Sequence, residues 1–167
     1  MPSQSLRGRV RGAPEVIEAA YASKISEGVL VSGSGAVSLV GWTPILTAEQ
    51  KQTIETIAST LAAAGAEPPS TEELAAAVGD DVPALLRYME RCGSVTQVEQ
   101  NRYYDTSQLK LLLGRVRQAL AGSAEVGPSE LREALGLSRK FLIPLLEYCD
   151  RVGYTNRSAM GRVWRRA

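Results

Sequence analysis

The stretch Leu137–Trp164, LSRKFLIPLLEYCDRVGYTNRSAMGRVW, divides into three parts. Leu142, Leu145, Leu146, Cys149 and Val152 recur at helical spacing and form the inward stripe of a helix from Ser138 to Val152. Gly153 stands where such a helix stops, and Tyr154 to Arg165 alternate around a turn as a hairpin does. The same order of parts occurs earlier in the chain. LLRYMERCG (Leu85–Gly93) matches LLEYCDRVG (Leu145–Gly153) at an offset of 60, and EELAAAVG (Glu72–Gly79) matches SELREALG (Ser129–Gly136) at an offset of 57. An internal repeat of this kind means that one supersecondary unit is built more than once.

The earlier copy shows the whole unit. TAEQKQTIETIASTLAAAG opens on a Thr47 cap with Gln50 three residues later and closes on Gly65, with Ile54, Ile57, Ala58 and Leu61 on one face. Pro68 and Pro69 form a turn, Ser70 or Thr71 caps a short helix ending near Val78, and a third helix over Val82–Arg91 turns Leu85, Leu86 and Met89 inward. Gly93–Tyr104 alternates on either side of a polar turn at Glu99–Asn101. In the later copy the helices fall at Thr106–Leu120, Pro128–Leu135 and Ser138–Val152, with the hairpin at Tyr154–Arg165. The front of the chain fits a third copy without its long first helix: a short helix over Leu6–Val10, a helix over Pro14–Ser26 and a hairpin over Val29–Val40. Three helices followed by a hairpin make the winged-helix variant of the helix-turn-helix. The expected fold is therefore mainly α with short β-hairpins (α+β), in tandem winged-helix domains at 1–42 (partial, so that the chain begins inside a module), 43–105 and 106–167.

Several function classes drop out. The chain has no histidine, which removes the usual general base and imidazole metal ligands, and it has no GxxxxGK[ST] phosphate loop. The glycine-rich stretch Ser32–Leu39 reads as a hairpin turn. Acidic pairs such as Glu72 and Glu73 or Asp80 and Asp81 sit at helix starts, where carboxylates stabilise the helix dipole. No catalytic residue, metal site or cofactor is therefore expected. Nor is any membrane span or secretory signal legible, so the expected location is cytoplasmic. Cys92 and Cys149 lie in apolar helical patterns and are expected to be reduced core thiols.

Charge points the other way, toward a partner. Residues 43–105 carry four Lys/Arg against ten Asp/Glu, a net −6, whereas residues 106–167 carry eleven against five, a net +6. Arg139 and Lys140 follow the Ser138 cap and fall in the first helical turn, where cations cost the helix about 0.3–1 kcal/mol each and free backbone N–H groups favour an anion. Phosphate suits that turn. Pro144 is expected to bend the helix or remove one of its bonds. Arg157 and Arg162 fall on the two hairpin strands, and Arg165 and Arg166 continue the second. The bland alternative pairs Arg139, Lys140 and Arg151 with Glu130, Glu133, Glu147 or Asp150 on a solvated surface. Tyr103, Tyr104 and Trp164 read as packing residues more than as base-stacking ones.

The series SRKFLIPLLEYCDRVGYTNRSAMGRVW resembles the last winged-helix domain of the bacterial selenocysteine-specific translation elongation factor. GWTPILTAEQ and AAGAEPPSTEELA resemble the opening of the domain before it, and LRGRVRGAPEVIEAA the domain before that. The resemblance implies an RNA-binding region that recognises the hairpin in selenoprotein messenger RNA by which a UGA codon is recoded. Partners implied with it are the ribosome and selenocysteyl-tRNA, both reached through the full-length factor, whose GTPase domain lies upstream; this stretch itself is expected to act as a monomer and to hydrolyse nothing. Carried onto this sequence, RNA contacts fall on Ser138, Arg139 and Lys140 and on the wing at Arg157 and Arg162, with Arg132 and Arg151 nearby. The wing departs from the family pattern at Asn156, Ala159 and Met160. On charge alone, the last module is expected to bind RNA by itself, with the acidic middle module as a spacer. The competing readings are a winged-helix DNA-binding transcriptional regulator, which would show basic charge in each copy and read two half-sites, and a protein-interaction scaffold.

Overall fold

The computed structural model describes residues 7–33, 36–41, 45–79, 81–121, 125–158 and 161–165. They form seven helices and three antiparallel hairpins in two compact units, Met1–Ile45 and Leu46–Ala167.

The first unit comprises α1 (Pro14–Ser26), β1 (Leu30–Gly33) and β2 (Ala36–Leu39). Helix α1 buries none of its residues, and among the described residues of the hairpin Val37 alone is enclosed. What holds α1 is polar: Arg7 pairs with Glu18 at 2.6 Å and stacks over Tyr21, whose hydroxyl lies 3.1 Å from that of Ser32. Of the short helix expected over Leu6–Val10, Leu6 lies outside the described residues, and Gly8–Val10 form turn and bend.

The second unit holds two copies of one arrangement. The first comprises α2 (Ala48–Ala64), α3 (Thr71–Val78), α4 (Val82–Arg91), β3 (Val95–Glu99) and β4 (Arg102–Asp105). The second comprises α5 (Thr106–Leu120), α6 (Pro128–Leu135), α7 (Arg139–Val152), β5 (Thr155–Arg157) and β6 (Arg162–Trp164). This is the winged-helix pattern, and local chemistry sets its boundaries. Thr47 with Gln50 and Ser70 with Glu73 form capping boxes, while Asp105 accepts from the amides of Ser107 and Gln108 at the start of α5. Glu130 accepts from the Gly127 amide at α6, and Pro128 takes the first turn, where no N–H partner is needed. Helix α7 runs without interruption through Pro144 and ends at Gly153, whose positive φ of 82° favours glycine.

Two cores result. Ile57 and Leu61 of α2 meet Leu74, Val82, Leu85, Leu86, Met89, Val95 and Tyr103. The larger core joins Leu109, Leu112, Val116 and Leu120 of α5 to Leu131, Leu135, Leu142, Leu145 and Leu146, and it also takes in Val98 and Tyr104 from the middle hairpin. Two expectations fail here. Cys92 is exposed, since it caps α4 beyond the apolar stripe, and only Cys149 is a core thiol. Burial pushes the Cys149 thiol up to about 12, with the Asp150 charge beside it, so it stays protonated and inert. Val152 lies in the last turn of α7, past the edge of the core, and is 44% exposed.

The later wing has a third strand partner. Val126 and Arg162 exchange both backbone hydrogen bonds at 3.0 Å, so the segment before α6 pairs with β6. Gly161 makes this approach feasible, because a Cβ there would stand 2.4 Å from the Val126 carbonyl oxygen. Gly114, inside α5, would meet nothing within 4 Å. Alanine at the two sites should therefore act in opposite directions. Gly161→Ala is expected to destabilise the second unit by more than about 2 kcal/mol, and Gly114→Ala to stabilise it by about 0.5–1 kcal/mol. Chemical denaturation of the two variants checks both signs.

Candidate nucleic-acid interface

Helix α7 is held along its length by the middle hairpin. At its first turn, the Phe141 ring lies under the Arg102 guanidinium at 4.9 Å and the Lys140 ammonium at 5.3 Å. At its last turn, Arg151 stacks on Tyr148 and donates to the Val98 carbonyl at 3.1 Å. Arg102 is itself immobilised: buried, it donates to the Pro68 carbonyl at 2.5 Å and lies 3.4 Å from Glu99. Val98 and Tyr104 complete the contact from within the shared core. The middle module is therefore a structural part of the last one, and not the passive spacer that its charge suggested.

The residues singled out from the sequence divide by environment. Arg132, Ser138, Arg139, Lys140, Arg151 and Arg157 are all exposed. Ser138 takes the cap position of α7, but its side chain makes no capping bond, so its hydroxyl is unused there. Arg139 heads the helix, with Lys140 next to it. Among the described residues neither Arg139 nor Arg132 has a side-chain partner, and the pairings with Glu130, Glu133 and Glu147 do not form. Lys140 faces the middle module: its charge, with that of Arg102, helps to hold the Glu73 carboxyl below its ordinary range, after the larger effect of the Ser70 amide and against burial. Arg157 lies near Asp150 and contributes to its electrostatics.

Arg162 stands in a different environment from the other candidates. Its side chain is 6% exposed and is engaged by Asp150, with Nη2 to Oδ2 at 2.8 Å and Nε to the two carboxylate oxygens at 3.0 and 3.2 Å. Thr155 donates to the same carboxylate at 2.5 Å. Two of the three guanidinium nitrogens are thus committed to Asp150. At the offset of 60 Arg162 corresponds to Arg102, and both are buried. Residues 159, 160 and 166, the remainder of the wing reading, lie outside the described residues.

Asp150 carries the stability cost of this arrangement. Burial raises its carboxyl, but the bonds from Arg162 and Thr155 and the charges of Arg162 and Arg157 outweigh it, and the net shift is downward. A depressed carboxyl contributes stability above its unfolded value near ~3.9, and that stability disappears as pH falls through the folded value. Asp150→Asn is expected to lose about 1.5–3 kcal/mol at neutral pH and to flatten the acid limb of stability below pH ~4. A series of melts from neutral to acid pH checks both effects.

An exposed arginine and lysine at the head of the third helix of a basic module are features of a winged-helix domain with a positive surface. Comparison with known proteins narrows this type. Residues 118–164 match the family described as "Elongation factor SelB, winged helix". The selenocysteine-specific elongation factor of Desulfomicrobium baculatum is 27% identical over 147 residues, 86% of this chain and 23% of that protein. Its counterpart in Escherichia coli (strain K12) is 31% identical over 96 residues, 56% of this chain and 16% of that one. The chain thus spans less than a quarter of the curated relatives it matches. Among solved structures, the mRNA-binding domain of elongation factor SelB from Escherichia coli, in complex with SECIS RNA, superposes with a TM-score of 0.63 at 25% identity, over 72% of this chain and all of that one. A bacterial selenocysteine-specific elongation factor EF-Sec shares the fold over 99% of this chain and 26% of its own, with a TM-score of 0.62 at 15% identity. The chain carries a C-terminal winged-helix region of the SelB family. The matched regions are winged-helix and mRNA-binding ones, not a catalytic domain.

Proposed function

We propose that this chain is the RNA-binding part of a selenocysteine-specific elongation factor, which recognises the selenocysteine insertion hairpin in messenger RNA and so directs UGA recoding. The observation that carries this reading is the exposed Arg139, unpartnered at the head of a helix that the middle hairpin clamps at both ends. Support also comes from the likeness to a SelB domain bound to SECIS RNA. Arg132, Ser138, Arg139, Lys140 and Arg157 make the contacts, Arg151 anchors the helix from below, and Arg162 holds the wing in place. The module divided at 106–167 is the binding module, the one at 43–105 its buttress, and the partial one at 1–42 the link toward the rest of the factor. Ribosome, selenocysteyl-tRNA and GTP are engaged by that remainder, and this part acts as a cytoplasmic monomer without enzymatic activity.

A hairpin suits the site better than a DNA duplex does. Unpaired loop and bulge nucleotides present bases and phosphates to a short basic turn, whereas a DNA-reading winged helix usually works in symmetric pairs. Only the last module is basic, so the half-sites of a regulator would have a single reader.

Binding of a selenoprotein-mRNA hairpin should fall with salt along a log–log slope of about −0.7 to −0.9 per phosphate, giving roughly −2 to −4.5 for ~3 to 5 contacts. Arg139→Ala and Arg157→Ala are expected to weaken binding by about 1–3 kcal/mol each while moving the unfolding free energy by no more than ~0.5 kcal/mol. Titrations of the full chain, with thermal melts alongside, test this. Full affinity in both variants, or tighter binding to a palindromic DNA duplex than to the hairpin, sinks the proposal.

A further inference from the structure

At the far end of α7 from Arg139 lies a second surface that the proposed hairpin contacts do not use. The rings of Tyr154 and Trp164 stack with centroids 5.7 Å apart and planes within 5° of parallel. Trp164 is half-buried against the module's core, which fixes the inner ring, while Tyr154 is 41% exposed. With one face of the tyrosine covered by the indole, its solvent-accessible area belongs to the other face and the edge. Tyr148 adjoins it, for burial and then the Tyr154 hydroxyl push the Tyr148 phenol up from its ordinary value. Arg151 stacks over Tyr148, and Arg165 runs alongside: its amide donates to the Tyr154 carbonyl at 2.9 Å, and its guanidinium lies over Gly153, with Nη1 3.4 Å from where a Cβ would stand.

The arrangement is a rigid aromatic ledge edged by two arginines. Its base is pinned on both strands, because Thr155 and Trp164 are register partners and Thr155 is tied to Asp150. A flat ring held parallel on an immobile indole is prepared to continue the stack with one more planar group, and the cations beside it favour a planar group that carries phosphate.

We propose that Tyr154 is a stacking platform for one unpaired nucleobase of an RNA, with Arg165 placed to meet the adjoining phosphate. Helix α7 spans 14 residues, about 20 Å at 1.5 Å per residue, so the platform engages a nucleotide distant from those at the Arg139 turn. A base on an aromatic face contributes through its π-surface, not its edge, so the platform discriminates single-stranded from paired nucleotides and hardly reads sequence. The inference rests on the RNA-binding reading of the chain but concerns a separate surface.

The test uses the full chain and two labelled probes, decauridylate and a ten-residue abasic ribose-phosphate oligomer of the same charge. Fluorescence anisotropy is expected to show at least tenfold tighter binding of decauridylate, consistent with roughly 1–3 kcal/mol for a stacked base. Tyr154→Leu, which keeps an apolar side chain over Trp164 but removes the π-face, should lose that advantage, and Tyr154→Phe should retain it. In the wild-type chain the Tyr154 ring-proton resonances should move upfield on addition of decauridylate and not of the abasic oligomer. Equal affinity for the two oligomers in the wild-type chain overturns the platform, whatever the variants do. So does an upfield shift produced by a decaproline peptide and not by decauridylate, which would make the ledge a peptide site. Arg139→Ala, measured on the mRNA hairpin, reports on the other surface, so failure of the hairpin reading and failure of the platform are seen in different experiments.

Discussion

An arginine turned inward at the start of the second wing strand closes each complete module. In the last module Arg162 pairs with Asp150 of α7, and in the middle one Arg102 reaches the carbonyl of Pro68. The difference has a chemical origin. The segment before α6 has Val126, whose amide and carbonyl complete a bridge with Arg162. At the corresponding offset of 57 the middle module has Pro69, which has no N–H to donate. The guanidinium of Arg102, together with the Thr71 amide and hydroxyl that donate to the Asn101 carbonyl, therefore supplies the tie that the Val126 bridge supplies in the later copy. Each wing is a two-stranded hairpin, and an isolated hairpin of that size is marginal in water, so its ties to the helical body matter.

The same residue then joins the modules. Arg102, fixed by Pro68 and Glu99, offers its flat face to Phe141 in the first turn of α7, and Val98, one strand away, accepts from Arg151 in the last. A helix held at both ends by a neighbouring sheet loses little further freedom on binding, which lowers the ordering cost of recognition. The acidity of the middle module takes on a local meaning here. Glu99 and Glu73 lie close to Arg102 and Lys140, so part of the −6 compensates cations at the junction and leaves Arg139 as the uncompensated charge at the head of the helix. A polyanion approaching the unit therefore meets a small, directed positive surface.

Most of the secondary structure was legible because it is written in short-range chemistry. Capping residues, helix-stop glycines and apolar spacing placed α2 to α7 and all three hairpins with bounds close to those found, and the internal repeat supplied a second reading of each element. What escaped depends on where a pattern ends or on contacts remote in sequence. Val152 and Cys92 continue an apolar rhythm past the last turn that the core covers, and periodicity does not report where the neighbouring surface stops. Arg162 reads as a cation on a strand, and its burial follows from Asp150 twelve residues away. The clamp on α7 links residues 39 and 53 positions apart, Arg102 with Phe141 and Val98 with Arg151, and nothing in the local pattern of either segment announces it.

Summed charge was accordingly the least faithful guide to the site. Of the cations behind the +6 of the last module, Arg162 is neutralised internally, Arg115 binds the Leu135 carbonyl at the end of α6, and Arg151 is spent on Val98. Those that remain exposed without a partner stand at particular places on the frame, above all the head of α7, where the helix dipole also favours an anion. Two effects of the same sign, a free guanidinium and the unpaired amides of a helix start, converge on one turn, and each would be modest alone. A phosphate there meets both at once with no rearrangement of the protein, because the cost of gathering like charges at that spot was met when the modules packed together. Affinity at such a site depends less on how many arginines the module carries than on which of them folding leaves unpaired.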